Sequence, residues 1–391
     1  MNFNINIQFV KSFLWRLFAV YIVLFIFSFP VPNYILPNFG ELLNSVFEPI
    51  SKWIGVEVLD LNPDLTYSFD SDSTGLYIHV FIVGFVSCFV SIVSLVFKPI
   101  SFSEKQKNYF KVFSSYYLSM VLMIYAFDKI FNHQFYLPEP NILYSQVGDL
   151  SKDISFWTTM GASRSYSMFS GFIELVPAIL LLFNRTRLIG ALIAFMVMVN
   201  VLMINFGFDI SVKVFSLFLT ILALFIISYD YARFKAFILN SSFTSKKLFK
   251  PFKYSLHLSL VVLFAISFNG AYPFIKTNNY NDDNAPRPKF HGAYEVKKSK
   301  LDCKRIFIHR QGYLIIQNNE DEMDDYKMYL NENEKTITLT DNNKQAFEVK
   351  YLSDNNKLKA LIIKNDTVKL STLNWQNKAL VKPYFHWTID N

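Results

Sequence analysis

Residues 255–296 read SLHLSLVVLFAISFNGAYPFIKTNNYNDDNAPRPKFHGAYEV and contain the transition that decides the fold. The stretch begins as an apolar run of the membrane-spanning kind, although Leu256 to Phe268 is among the shorter apolar runs of the chain. After Ala271 it becomes rich in Asn and Asp, and residues 275–290 read as a polar linker. The sequence therefore predicts a membrane domain over residues 1–274, a linker over 275–290 and a soluble domain over 291–391.

The part of the chain before this linker is too apolar for an ordinary soluble domain. The hydrophobic fraction is 52% for the whole chain, and the apolar residues crowd before residue 275. Seven apolar segments approach or reach the length that spans a bilayer. They lie near residues 12–30, 75–97, 110–131, 165–183, 188–207, 212–228 and 254–273. This pattern predicts a membrane all-α bundle of about seven transmembrane helices.

Basic residues occur in alternate loops of this bundle. They are Lys98, Lys105, Lys107 and Lys111 after the second span, Arg185 and Arg187 after the fourth, and Arg233, Lys235, Lys246, Lys247, Lys250 and Lys253 after the sixth. Because loops rich in Lys and Arg stay in the cytoplasm, we expect a bacterial inner-membrane protein with a cytoplasmic N-terminus. An odd number of spans places the C-terminal domain in the periplasm. A count of six, without residues 254–273, would place it inside.

Two loops on the predicted outer side are longer than simple connections. Residues 40–57 carry apolar side chains at helical spacing together with Trp53, which favours a helix lying at the membrane interface. Residues 132–163 contain Pro138, Pro140 and Trp157 and are too long for a turn. We expect the second loop to fold back over the outer mouth of the bundle.

Beyond the linker, short runs alternate between apolar and polar residues in the manner of β-strands. Examples lie at residues 305–308, 313–316, 336–339 and 347–349, and each is bounded by Asn, Asp or Gly. About eight short antiparallel strands at this spacing predict an all-β domain, a small barrel or sandwich.

The composition argues against nucleic-acid binding and against a metal site. The net charge is +7, but neither part of the chain carries a concentrated basic face of the kind that follows phosphates. The two cysteines, Cys88 and Cys303, lie in different predicted domains, and the six histidines form no ligand-type spacing. We therefore expect no nucleic acid, no metal and no intramolecular disulfide. Contact with membrane lipids follows from the apolar spans.

Ionisable residues at membrane depth are the strongest pointers to function, because they are costly there unless they are paired or used. Glu174 is the clearest, about ten residues into the fourth span. The predicted topology places several further polar residues near the outer leaflet. The candidate pocket residues are Glu174, Lys129, Arg164, Tyr166, Asn205, Asp209 and Lys213. If the spans pack as neighbours, these residues define one pocket open toward the periplasm.

Each candidate also has a structural interpretation. Asp209 and Lys213 have the spacing of a local helical ion pair. Arg164 has the position of an interfacial residue whose charge reaches water. Glu174 would serve as the structural partner of Lys129 or Arg164, and Asn200 and Asn205 would join helices by hydrogen bonds. The catalytic residues, if there are any, are not identified by these patterns.

Several strings in the membrane part resemble the DoxX-like membrane proteins of the Bacteroidetes. The resemblance covers about residues 110–240 and rests on Tyr125 to Lys129 (YAFDK), Gln134, Trp157 to Ser163 (WTTMGAS), Glu174 and Asn205 to Lys213 (NFGFDISVK). The C-terminal domain opens with Gly292 to Val296 and ends with Tyr384 to Trp387. Both strings are similar to a lipocalin-like β-barrel tail found in some of these proteins. The resemblance implies that Gln134 belongs with the pocket residues and that a quinone is a candidate cofactor.

Two functions from different classes compete at this point. In the first, the protein binds or acts on a lipophilic small molecule, with a quinone as the candidate, in a periplasm-facing intramembrane pocket. In the second, it is a non-enzymatic component of an envelope complex whose periplasmic β domain docks a protein partner. Transport is less favoured, since the spans show no inverted repeat and no broken helix pair. Whether the protein is an enzyme is left open by the sequence.

Overall fold

The computed structural model describes residues 7–29, 31–36, 39–97, 102–231, 234–235, 254–355, 357–363 and 366–382. The chain divides into two compact units. The helical unit comprises Met1–Phe131 and Met168–Asn278, and the barrel unit comprises Asn132–Ser167 and Asn279–Asn391. Several sequence predictions fall on residues outside the described ranges. They concern Lys98, Arg233, Lys246, Lys247, Lys250, Lys253 and the ending Tyr384 to Trp387.

The helical unit is built from long apolar helices. They are α1 (Ile7–Ser28), α3 (Thr74–Phe97), α4 (Glu104–Ile130), α7 (Arg164–Leu182), α8 (Arg187–Gly207), α9 (Lys213–Tyr229) and α10 (Ser255–Thr277), with α7 beginning in the barrel unit. The predicted helix in residues 40–57 is observed as α2 (Phe39–Trp53), which continues into a π-helical turn at Ile54–Val58. Its location at the membrane interface stays a prediction. Its apolar residues recur at helical spacing as the sequence predicts. Buried side chains such as Phe25, Leu118 and Leu222 form the centre of the unit.

Six helices among the described residues are long and apolar enough to cross a membrane. The shortest of the seven apolar segments is α9, with 17 residues. The run that the sequence made the least certain span, 254–273, forms the continuous 23-residue helix α10. The prediction of a membrane helical bundle followed by an antiparallel β-barrel is confirmed. Whether the number of spans is six or seven, and hence on which side of the membrane the barrel unit lies, therefore depends on α9. The orientation stays a prediction.

Eight antiparallel strands form a closed barrel in the barrel unit. They are β1 (Gly292–Lys298), β2 (Arg305–Ile308), β3 (Tyr313–Gln317), β4 (Met323–Asn331), β5 (Thr336–Thr340), β6 (Ala346–Asp354), β7 (Lys357–Ile363) and β8 (Asp366–Leu373). Each strand pairs with its neighbours in sequence, and β8 closes the barrel on β1, for example Tyr294 opposite Thr372. Closure leaves every strand paired on both sides, which removes the free edges that β-domains otherwise expose.

Apolar side chains fill the inside of the barrel. Ile306, Leu314, Leu339, Val349 and Leu361 belong to one buried cluster with side chains from every strand except β4, and residues of β4 pack against it. These residues alternate with outward-facing ones, as the period of a strand requires. The barrel therefore has the packed core of a small eight-stranded barrel. The lipocalin resemblance stays a prediction.

Residues 132–167 belong to the barrel unit, a placement that the sequence did not predict. They contain α5 (Pro140–Leu143), a 3₁₀ turn at Val147–Asp149 and α6 (Lys152–Gly161). A second apolar cluster joins the outward-facing Ala293, Phe307 and Ile315 with Tyr144 from this segment. The fold of the segment is tight, because a Cβ at Gly161 would lie 2.0 Å from the Tyr136 carbonyl oxygen. This apolar patch on β1–β3 explains why the segment packs on the barrel.

Candidate functional site

A glycine brings α4 and α7 into close contact in the helical unit. A Cβ at Gly171 would lie 2.7 Å from the Ala126 carbonyl oxygen and 2.8 Å from Cγ1 of Ile130, so only glycine fits without a shift. Small residues allow membrane helices to approach in this way. Glu174 follows three residues later on α7, and Lys129 precedes Ile130 on α4. The crossing therefore places the two charged side chains side by side.

Lys129 and Glu174 form a buried ion pair. The distance from Lys129 Nζ to Glu174 Oε2 is 2.8 Å. Lys129 is 7% exposed and Glu174 is 4% exposed. The ammonium also lies 5.4 Å from the centre of the Tyr125 ring, where the ring face attracts a cation. The sequence allowed Lys129 or Arg164 as the structural partner of Glu174, and the structure places Lys129 beside it.

The ion pair determines which ligand groups could bind beside Glu174. The ammonium and the carboxylate face each other at 2.8 Å, so their charges cancel at short range and leave a strong dipole in the bundle. A hydrogen-bonding ligand would meet both a donor and an acceptor there.

Asp209 and Lys213 form the local pair that their spacing predicts, with 2.7 Å between Asp209 Oδ1 and Lys213 Nζ. Asp72 joins them as a third member that the sequence did not predict, 3.9 Å from Lys213 Nζ. Its carboxylate accepts hydrogen bonds from the backbone N–H groups of Lys213 at 2.7 Å and Val214 at 3.0 Å. Asp72 therefore caps the start of α9, where an anion is favoured. Local cap signals in the sequence do not reveal it, because Asp72 lies 141 residues before Lys213.

The remaining candidates do not join these pairs in one described cluster. Asn205 is buried, and among the described residues its Nδ2 has no hydrogen-bond partner. Gln134, Arg164 and Tyr166 belong to the barrel unit. Gln134 is half-buried there, whereas Arg164 and Tyr166 are exposed at the start of α7. Of the residues predicted to form a single pocket, the helical unit therefore contains two ion pairs, Lys129 with Glu174 and Asp209 with Lys213.

Asn269 is a second polar residue whose role the sequence did not predict. It is fully buried in α10, and its Oδ1 accepts hydrogen bonds from three consecutive N–H groups. These belong to Tyr34, Ile35 and Leu36, at 3.1, 3.0 and 3.3 Å. One amide oxygen therefore holds the irregular stretch that follows α1. A lone Asn in an apolar run gives no sequence signal of which segment it will contact.

A second buried cluster of charged side chains lies in the barrel unit. Glu139 Oε2 is 2.9 Å from His291 Nε2 and accepts the backbone N–H of Arg310 at 3.1 Å. Burial raises the pKa of Glu139, but the hydrogen bond and charge of His291, with smaller effects of His309 and Arg310, bring it below its ordinary value. Arg310 donates to Asp282 and lies 4.2 Å over the Tyr136 ring. These bonds fasten residues 132–167 to the barrel.

Among the described residues, no group of three or more His, Cys, Asp or Glu side chains is arranged to hold a metal ion. Cys88 and Cys303 are both free thiols.

Comparisons with known proteins give one distant relative. Part of the chain is similar to the uncharacterized protein YwoB of Bacillus subtilis (strain 168), at 35% identity over 94 residues. The match covers 24% of this chain and 61% of the YwoB sequence, so the chain spans about three fifths of that relative's length. No family model matches the chain, and no solved structure matches it. The resemblance to DoxX-like proteins therefore stays a prediction.

Proposed function

We propose that this protein is a bacterial inner-membrane protein that binds a lipophilic small molecule beside the Lys129–Glu174 pair. The observation that carries the proposal is the buried ion pair itself. A quinone is the ligand class that the DoxX-like resemblance suggests. In the proposed orientation the N-terminus is cytoplasmic, the barrel unit is periplasmic, and the pair lies in the outer half of the bundle.

The energetics of buried charges support a role beyond packing. Moving two charges out of water often costs more free energy than their mutual attraction contributes. Well-packed apolar residues can often replace such a pair without loss of stability. In a membrane the cost of ionisable residues is higher still, and those present usually serve a binding or transfer site. Stability alone is therefore a poor reason for Lys129 and Glu174 to face each other.

The chemistry of the pair suits a ligand with carbonyl or hydroxyl oxygens. An ammonium carries three N–H donors, and a ligand carbonyl oxygen is a suitable acceptor for one of them. A carboxylate accepts from a ligand hydroxyl. The Tyr125 ring beside Lys129 adds a flat aromatic surface. A quinone and its reduced form present these two oxygen types. The proposal is one of binding, and it assigns no reaction.

The test separates ligand binding from stability. Glu174→Gln alone leaves Lys129 without its counter-charge, so a loss of function would be ambiguous. The double variant Lys129→Met/Glu174→Leu removes both charges and keeps apolar volume. The matched control is Lys111→Met/Asp230→Leu, which removes another buried pair of the same unit, with 3.1 Å between Lys111 Nζ and Asp230 Oδ2.

The full chain would be purified in mild detergent, extracted and analysed for ubiquinone and menaquinone, and then titrated with a short-chain menaquinone. We expect wild type and control to bind and the Lys129/Glu174 double variant to fail while it keeps its thermal stability. Equal binding by that double variant would refute the proposal.

The orientation has its own test. Tyr329 is 73% exposed on β4, and Lys105 lies at the start of α4 in a predicted cytoplasmic loop. In a background with Cys88 and Cys303 replaced by Ser, Tyr329→Cys is expected to react with an impermeant maleimide in intact spheroplasts. Lys105→Cys is expected to react only after lysis. The reverse pattern would place the barrel unit in the cytoplasm.

A groove on the barrel supports the second candidate function, docking of an envelope protein. Its volume is about 300 Å³, and it lies on the outer surface of β4–β6 between Tyr329 and Phe347. Because closure leaves no free strand edge, a partner would bind this surface through side chains and not by adding a strand. A photocrosslinker at Tyr329 in the full chain should then give one adduct of defined mass, and one at the exposed Lys369 of β8 should not.

A further inference from the structure

Two adjoining cavities lie along α1 of the helical unit. The larger, of about 740 Å³, is lined by α1, α9 and the start of α4. The smaller, of about 400 Å³, is lined by α1 and α4. Trp15 and Phe102 line both cavities, with their ring centres 5.0 Å apart. The two rings form a shared wall between the cavities.

The larger cavity combines an apolar wall with positive charge. Leu14, Phe18, Ile221, Leu224 and Phe225 supply the apolar surface. Its polar lining residues are Gln8, Lys11, Ser12, Lys107 and Ser228, and among the residues that the structure describes none of the lining is acidic. The described lining is therefore amphiphilic, and its formal charges are positive.

The charged residues near the larger cavity do not offset the positive charges of Lys11 and Lys107. Glu104 pairs with Lys107 at 2.8 Å, but its side chain is 71% exposed, and an exposed pair of this kind is weak. Arg16 lies 5.4 Å over the Phe102 ring but is not among the lining residues, and it donates to the Ser94 hydroxyl at 2.8 Å and to the Ser94 carbonyl at 3.2 Å. The two lysines are therefore the charges that a bound anion would meet.

The smaller cavity is almost wholly apolar. Ala19, Val23, Phe27, Phe110 and Phe113 line it, and Gln106 and Tyr109 are its polar members. It suits a hydrocarbon chain. Its wall of Trp15 and Phe102 puts it directly beside the cavity that holds the two lysines.

We propose that these cavities form a binding site for an anionic phospholipid of the phosphatidylglycerol class. The phosphate lies between Lys11 and Lys107, and the two acyl chains lie on either side of the Trp15 and Phe102 rings. Basic pockets at the cytoplasmic ends of membrane helices recognise anionic headgroups in this way. The site shares no residue with the Lys129–Glu174 pair and does not depend on ligand binding there; its cytoplasmic location rests on the orientation given under the proposed function.

The experiment uses the full chain in detergent with equal amounts of phosphatidylglycerol and phosphatidylcholine, followed by native mass spectrometry of retained lipid. Wild type should retain one phosphatidylglycerol. Lys11→Gln/Lys107→Gln should lower retention about tenfold or more, because each lysine contributes favourably to headgroup binding. The matched control Lys52→Gln/Lys105→Gln removes the same charge at exposed lysines that line neither cavity and should retain the lipid.

Two further arms identify the source of the phosphate and the role of the chains. Excess inorganic phosphate should leave the lipid bound, and dihexanoyl phosphatidylglycerol should bind more weakly than the long-chain lipid. Displacement by phosphate, equal retention of phosphatidylcholine, or an equal loss in the control variant would each overturn the proposal. Thermal unfolding of each variant checks that the bundle is folded.

Discussion

Lys129 and Glu174 are hydrogen-bonded at 2.8 Å although 45 residues separate them in sequence, and each is the other's buried counter-charge. The contact depends on Gly171, which lets α7 approach α4 closely enough for the two side chains to meet. Because neither charge is exposed to water, the effect of changing one residue is governed by what happens to the other.

This relationship predicts strongly non-additive effects on stability. Glu174→Leu removes the carboxylate that lies 2.8 Å from the buried Lys129 ammonium, and should lower the free energy of unfolding by about 3–5 kcal/mol. The double variant Lys129→Met/Glu174→Leu should lie within about 1 kcal/mol of wild type or above it. Unfolding of the detergent-solubilised chain measures all three proteins. Additive losses in the double variant would show that the two residues act independently.

Asp72 is expected to stabilise the start of α9. Asp72→Ala removes the acceptor for the N–H groups of Lys213 and Val214, and loss of a helix cap costs about 1–2 kcal/mol. Amide hydrogen exchange at these two positions should accelerate more than elsewhere in α9. Asp70→Ala is the control, since Asp70 is exposed in the same loop. An equal effect of both substitutions would argue against the cap.

The periodic features of the sequence were sufficient to predict the fold. Apolar runs of spanning length predicted the helices, and period-two alternation with Asn and Asp turns predicted eight strands, because both patterns are local. The sequence could not show that β8 would pair with β1, since closure depends on the twist of the whole sheet. Nor could it show that residues 132–167 would pack on the barrel, because Phe307 on the outer face of β2 reads like any strand residue.

The site was predictable only where partners are close in sequence. The spacing of Asp209 and Lys213 predicted their ion pair directly. Glu174 stood out because a carboxyl in an apolar run is costly, and the choice between Lys129 and Arg164 as its partner required the three-dimensional structure. Asp72 and Asn269 escaped notice because their partners are backbone N–H groups of distant segments, which no side-chain pattern encodes.

Asn269 should be sensitive to the loss of its acceptor oxygen. Asn269→Leu leaves the N–H groups of Tyr34, Ile35 and Leu36 without this acceptor, and each lost hydrogen bond is worth about 0.5–1.5 kcal/mol. We expect a clear loss of thermal stability and faster proteolysis in residues 31–36. Ser267→Ala, two residues earlier on α10, is the control. Unchanged proteolysis in Asn269→Leu would contradict the role assigned to this amide.

Tyr144 should act through its ring. It lies 5.8 Å from the Phe307 ring, with the Arg305 guanidinium at 5.0 Å and the Lys378 ammonium at 4.3 Å. Tyr144→Phe keeps these contacts and should behave nearly as wild type. Tyr144→Ala removes them and should lower stability by about 1–3 kcal/mol, the sum expected for one aromatic pair and two cation–π contacts. Hydrogen exchange in residues 140–150 measures the difference, and equal exchange in the two variants would exclude the ring as the anchor.

Acid is expected to loosen residues 132–167 from the barrel, and the sign follows from Glu139 and His309. The folded-state pKa of Glu139 is lowered from 4.5 despite its burial, because His291 donates to it and attracts it. Burial lowers the pKa of His309 from 6.5. Both groups therefore bind protons more readily in the unfolded chain than in the folded one. Stability is lost as the pH is lowered, below about 6.5 through His309 and below about 4.5 through Glu139.

Hydrogen exchange of residues 132–150, corrected for intrinsic rates, should show both steps. Glu139→Gln should remove the lower step and His309→Gln the upper one, and an unchanged profile in either variant would refute that assignment.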